Sequence, residues 1–104
     1  MERTIKPGDF KSVASTVTVI DVRRKEDLAA SNVVVPGAEW KDPAKVDQWI
    51  AEVPKDKEVV IYCVRGGSVS NSVLDRLQSC GVKARFIEGG IEGLQAAGGA
   101  VVKK

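Results

Sequence analysis

Three apolar runs, each followed by a segment with helical spacing, constrain the fold of this chain more than any other feature. Residues 16–22 (Thr-Val-Thr-Val-Ile-Asp-Val) are β-branched and mostly apolar, which predicts a buried strand. Residues 58–63 (Glu-Val-Val-Ile-Tyr-Cys) form a second run of this kind and residues 82–87 a third. Helix-friendly segments lie between and after them. One covers residues 24–30, and a second, residues 42–53, opens on an Asp42-Pro43 cap. A third, residues 68–80, stops at Gly81. Val46, Trp49, Ile50 and Val53 share one face of the second, and Val69, Val73, Leu74 and Leu77 share one face of the third. A short edge strand at Arg3-Thr4-Ile5, a helix at residues 7–13, a loop at 32–38 turning on Pro36-Gly37, a Gly89-Gly90 turn and a last helix at 91–97 complete the pattern. Alternating strands and helices predict a layered α/β domain with a mainly parallel sheet.

At 104 residues the expectation is one domain over positions 1–104. Histidine is absent, which excludes a Ser-His-Asp triad, a Cys-His dyad and an HExxH zinc helix. Two cysteines cannot complete a four-ligand zinc site alone, so neither a metal nor another cofactor is expected. Sixteen basic residues against 14 acidic ones, without a basic stripe, give no nucleic-acid footprint. The apolar runs fall far short of the ~20 residues that span a bilayer, so no membrane partner is expected. Met1-Glu2-Arg3-Thr4 leads into no apolar signal core. The expected location is therefore the cytoplasm, with reduced thiols, or the periplasm if a signal had been removed.

The chemistry concentrates on Cys63. In open parallel sheets ligands bind beyond the carboxyl ends of the strands, and Cys63 sits at such an end, before a glycine-rich turn into a helix. Val64, Arg65, Gly66, Gly67, Ser68 and Val69 have the composition of an anion-cradling loop, in which glycines let successive N–H groups point inward. The helix that follows adds free N-terminal amides and the positive end of its dipole. A thiol among such donors is held as thiolate without a histidine base. Against this, a free cysteine at a strand end is often just a small buried hydrophobe. Arg65 read alone is a solvated surface charge, and Cys80 a packed helix-end residue rather than a resolving thiol.

These residues resemble a single-domain rhodanese, a thiosulfate sulfurtransferase-like protein. Val19-Ile20-Asp21-Val22-Arg23 with Glu26-Asp27-Leu28 is similar to the family's strand-end Asp-Val-Arg and acidic helix. Val35-Pro36-Gly37-Ala38 is similar to its Pro-Gly turn, and Val60-Ile61-Tyr62-Cys63 with Gly66 to its catalytic strand and loop. Phe86-Ile87-Glu88-Gly89-Gly90-Ile91-Glu92-Gly93-Leu94 resembles its Gly-Gly segment and closing helix. The resemblance implies a rhodanese-like three-layer fold, with about five mainly parallel strands flanked by helices on both faces. It also implies that Cys63 takes sulfane sulfur from a small anionic donor such as thiosulfate and holds it as a persulfide. Cyanide, a thiol or a protein acceptor then removes it. Val64 to Val69 would cradle donor and persulfide, while Asp21 and Arg23 brace neighbouring loops near the site.

The loop departs from the family's frequent Cys-Arg-x-Gly-x-Arg-Ser, having Ser68 at the fifth position and arginine at the second, Arg65. Asn32-Val33 also stands where the family often has Gly-His. A phosphatase or arsenate reductase would need an arginine six residues after the cysteine, where this chain has Val69. The rival from another class is a domain that carries persulfide sulfur without turnover, or senses sulfur or binds a partner.

Overall fold

The computed structural model describes residues 3–65, 67–99 and 101–103; Met1, Glu2, Gly66, Ala100 and Lys104 lie outside the described residues. In chain order the strands are β1 (Thr4–Ile5), β2 (Thr18–Asp21), β3 (Val33–Val34), β4 (Glu39–Trp40), β5 (Val59–Tyr62), β6 (Ala84–Ile87) and β7 (Val102–Lys103). The α-helices are α1 (Pro7–Val13), α2 (Lys25–Ala30), α3 (Val46–Trp49), α4 (Ser68–Ser79) and α5 (Gly90–Ala96). Five strands form one parallel sheet in the order β1-β6-β5-β2-β4, and β3 pairs antiparallel with β7 beside it. The layered α/β sheet expected from the sequence is present, flanked by helices on both faces.

Central position explains the composition of β5. Its four residues are fully buried, because a parallel strand with helices on both sides has no solvent face to alternate toward. Alternate side chains still divide. Val59, Ile61 and Cys63 join Ile20, Val22 and Phe86 under α4 and α3, packing on Val73, Leu74, Leu77 and Trp49. Val60 and Tyr62 join Ile5, Val19 and Ile87 under α1 and α5, packing on Phe10, Ile91 and Leu94. Cys63 therefore lies on the α4 face, directly past the end of β5.

α4 is the best-formed helix. Ser70, Val73, Leu74 and Leu77 are its buried stripe, and it ends in a Schellman closure. There the Val82 amide donates to the Leu77 carbonyl at 3.0 Å and the Gly81 amide to Gln78 at 3.1 Å, with Gly81 at φ +83°. Residues 42–53 are not one helix. A 3₁₀ turn (Pro43–Lys45) precedes α3 and another (Ile50–Glu52) follows it. Asp42 caps only the first turn, accepting from the Ala44 amide at 2.9 Å, and Lys45 leaves helical geometry at φ −118°, ψ 28°. The expected face is nevertheless kept, since Trp49, Ile50 and Val53 are buried. Among the described residues no helix is long and apolar enough to cross a membrane.

Candidate active site

The register of β2 against β5, Ile20 with Ile61 and Asp21 with Tyr62, brings the segments that leave these two strands side by side. From β5 comes Cys63 and its loop; from β2 come Arg23, Arg24 and the start of α2. Both reach the carboxyl end of the sheet, where such folds bind ligands. A cavity of about 460 Å³ opens there, lined by Cys63, Val64, Arg65, Gly67, Ser68 and Val69 from one side and Arg24 and Asp27 from the other. Gly66, expected in the same loop, lies outside the described residues.

The loop is fastened from behind by α5. The Ile91 amide donates to the Cys63 carbonyl at 2.9 Å, and the Glu92 amide to the Val64 carbonyl at 3.2 Å. These are first-turn amides of α5, which have no acceptor within their own helix. Gly90, at φ +64°, permits this approach, because a Cβ there would lie 2.5 Å from the Cys63 oxygen and from Val64 backbone atoms. In a trans peptide the N–H points opposite the C=O, so with these two carbonyls held toward α5 the Val64 and Arg65 amides point away from it. Among the described residues no turn or loop hydrogen bond uses the Val64, Arg65 or Gly67 amides. Ser68 and Val69 occupy the first two positions of α4, where a helix offers no acceptor either.

Cys63 itself is 6% exposed. It belongs to the apolar cluster beneath α4 and also lines the cavity, which opens to solvent. Neither cysteine is in a disulfide, and Cys80, expected to be packed at the helix end, is instead exposed there, because it lies past the buried stripe of α4. That helix of 12 residues is about 18 Å long. Arg65 is 81% exposed and its Nε donates to Glu92 Oε2 at 3.3 Å, so its charge leans toward α5.

Asp21 and Arg23 lie one layer deeper, both 1% exposed. Arg23 Nε donates to both carboxylate oxygens of Asp21, at 3.1 and 3.0 Å, and a terminal guanidinium nitrogen reaches Oδ2 at 2.7 Å. Burial opposes the guanidinium charge, but the hydrogen bonds and charge of Asp21 outweigh it and the pKa of Arg23 is raised. The Tyr62 hydroxyl donates to Asp21 Oδ2 at 3.1 Å and accepts from the Val35 amide at 3.2 Å. Burial first, then the Asp21 charge, pushes its pKa up. The Arg23 guanidinium also lies 5.6 Å from the Tyr62 ring centroid and donates to the Val33 carbonyl at 3.1 Å, and the Trp40 indole donates to the Arg23 carbonyl at 2.9 Å. The pair, through Tyr62, thus ties β2, β5 and the segment at Val33 and Val35 together at the end of the strands from which the Cys63 loop leaves.

The motifs do not single out Arg24, and they name Asp27 only as part of the acidic helix, without bringing it to the site. Neither belongs to the strand-end triplet, and their place follows only from the β2–β5 register. Arg24 stands at the N-cap of α2, and Asp27 lies in its first turn.

Solved structures share this architecture at low sequence identity. A rhodanese-related protein from Thermoplasma volcanium superposes with a TM-score of 0.88 at 22% identity, over 99% of this chain and 100% of that one. A Rhodopseudomonas palustris protein of unknown function, described as a possible tyrosine phosphatase, gives 0.78 at 24% identity over 96% and 84%. Both likenesses concern the fold alone. A tRNA 2-selenouridine synthase from Shewanella sp. is 33% identical over 51 residues, which are 49% of this chain but only 14% of that protein's length. The rhodanese-like domain family matches residues 7–97. The chain, with its cysteine at the end of the central strand, belongs to the rhodanese-like domain family, whose domains are of a sulfurtransferase type or otherwise sulfur-related.

Proposed function

We propose that the protein is a sulfurtransferase that works through a Cys63 persulfide. The Cys63 thiolate attacks the outer sulfur of thiosulfate. An S–S bond forms on Cys63, the donor's S–S bond breaks, and sulfite leaves with the electron pair. Cyanide, or a thiol, then attacks the outer sulfur and Cys63 departs as thiolate, giving thiocyanate in the cyanide case. Amides of the loop and of the first turn of α4 stabilise the anion at each stage.

The observation that supports this reading is the fastening of the Cys63 and Val64 carbonyls to the Ile91 and Glu92 amides, since the Val64 and Arg65 N–H groups of the same trans peptides then point away from α5, and both residues line the cavity. The protein is incubated with excess thiosulfate, weighed by mass spectrometry, then given cyanide and assayed for thiocyanate. The wild type gains the mass of one sulfur atom and releases many equivalents of thiocyanate, while Cys63→Ala does neither and stays folded. A wild type that gains no sulfur sinks the proposal.

A second reading is a persulfide carrier without turnover of its own. The similarity to one short stretch of a tRNA 2-selenouridine synthase favours it, since there the matched segment is part of a much longer protein. One bound sulfur with little thiocyanate would select this alternative.

A further inference from the structure

Beside the Cys63 cavity lies a second one of about 520 Å³, walled by the start of α2, the Asp42–Ala44 turn and the first turns of α4. The two cavities share Arg24, Ser68 and Val69, so they meet along one line over the start of α4. Each already has the size of an organic-ligand site, and thiosulfate, a single small oxyanion, would leave the second one empty. Arg24 stands at the junction. Its side chain is exposed and makes no hydrogen bond or ion pair among the described residues, whereas Arg65 is engaged by Glu92. Lys25 adds a second cation on the same wall. Three carboxylates lie around the two cavities, Glu26 and Asp42 in the second and Asp27 in the first, and among the described residues none of them is paired with Arg24, whose side chain remains the unengaged cation where the cavities meet. Ser68 and Ser72 offer hydroxyls opposite.

Taking the Cys63 persulfide reading as given, we propose that Arg24 selects the donor: it binds the carboxylate of an organic persulfide whose body lies in the second cavity while its outer sulfur meets Cys63. In the transfer, the Cys63 sulfur bonds to the donor's outer sulfur and the donor's S–S bond breaks. The electron pair leaves with the organic thiolate, and the proton on the transferred sulfur stays with it. No further oxidant or reductant is needed.

Steady-state transfer to cyanide is measured with thiosulfate, mercaptopropionate persulfide and butyl persulfide for wild type, Arg24→Gln and Arg24→Lys. Arg24→Gln lowers kcat/KM for the carboxylate donor about tenfold, mainly through KM, as loss of one charge-assisted contact predicts. The butyl donor is left nearly unchanged, and Arg24→Lys recovers part of the loss. Equal effects on the two organic donors, or none, would overturn the assignment of Arg24 while leaving Cys63 chemistry intact. A wild type that takes sulfur from none of the three donors overturns the proposed function and this inference with it.

Discussion

Tyr62 stands one residue before Cys63, and its hydroxyl serves Asp21 and the Val35 amide together. Because burial and the Asp21 carboxylate raise its pKa, the native state keeps the phenol protonated where an unfolded chain would release it. The stabilisation is fully present below the ordinary tyrosine pKa of about 10 and is lost as pH rises above it, since only the unfolded state then gives up the proton. Tyr62 is the only tyrosine in the chain, so phenolate absorbance follows it alone. Urea melts of wild type and Tyr62→Phe should differ by about 1–3 kcal/mol near neutral pH, the cost of stranding buried partners. The difference should shrink well above pH ~10, and a gap that stays constant would contradict the account. Cys80 makes the opposite kind of residue-scale case. A disulfide needs Cα atoms within about 7 Å, and α4 holds Cys80 far from Cys63. Cys80→Ser is expected to keep thiosulfate:cyanide turnover within about twofold of wild type, as surface substitutions usually do. A large loss of rate would mean that it resolves the persulfide after all.

At the scale of elements, the site is a contact between the β5–α4 loop and the start of α5, and Gly90 is its hinge pin. Ala at this position adds a Cβ 2.5 Å from backbone atoms of Cys63 and Val64, in a left-handed conformation besides. Gly81 is a matched control, since it has φ +83° but open space around its Cβ position. Gly81→Ala should cost about 1 kcal/mol in a urea melt and keep its turnover, the strain of φ alone. Gly90→Ala should cost more and lower kcat at least about tenfold by shifting the loop, because sub-ångström displacement of reacting groups is expensive. Equal kinetics for the two variants would show that α5 does not position the loop. Elements with a local cause were legible in the sequence: the buried β-branched strands, α4 with its apolar stripe and glycine stop, α1 with its leading proline. The two-residue strands β3, β4 and β7 were not, because pairing with a neighbour defines them rather than any propensity of Val33, Glu39 or Val102. Cys63 was visible at a strand end before glycines. The place of Arg24 and Asp27 at the same opening was hidden, although Asp27 figures in the acidic-helix motif, because the β2–β5 register is what carries them there.

The whole molecule is two apolar clusters on opposite faces of one sheet, and the strands that separate them also join them. β5 contributes Val59 and Ile61 to one and Val60 and Tyr62 to the other, so neither face can come apart without exposing the central strand from behind. Leu74 on the α4 face and Leu94 on the α5 face are 0% and 1% exposed, and truncation of either removes packing that no flexible neighbour refills. Leu74→Ala and Leu94→Ala should each cost about 2–5 kcal/mol. The chain has two tryptophans, of which only Trp49 lies in the α4 cluster, so in a Trp40→Phe background fluorescence reports that face, whereas far-ultraviolet circular dichroism reports the whole chain. If the sheet couples the clusters, Leu94→Ala lowers the urea midpoint seen by Trp49 as far as that seen by circular dichroism, and the two curves coincide. A Trp49 transition left at its wild-type midpoint would mean that the faces unfold separately. The Cys63 loop, rooted in the α4 cluster and fastened by α5 of the other, would then open whenever α5 did, well before the rest of the fold.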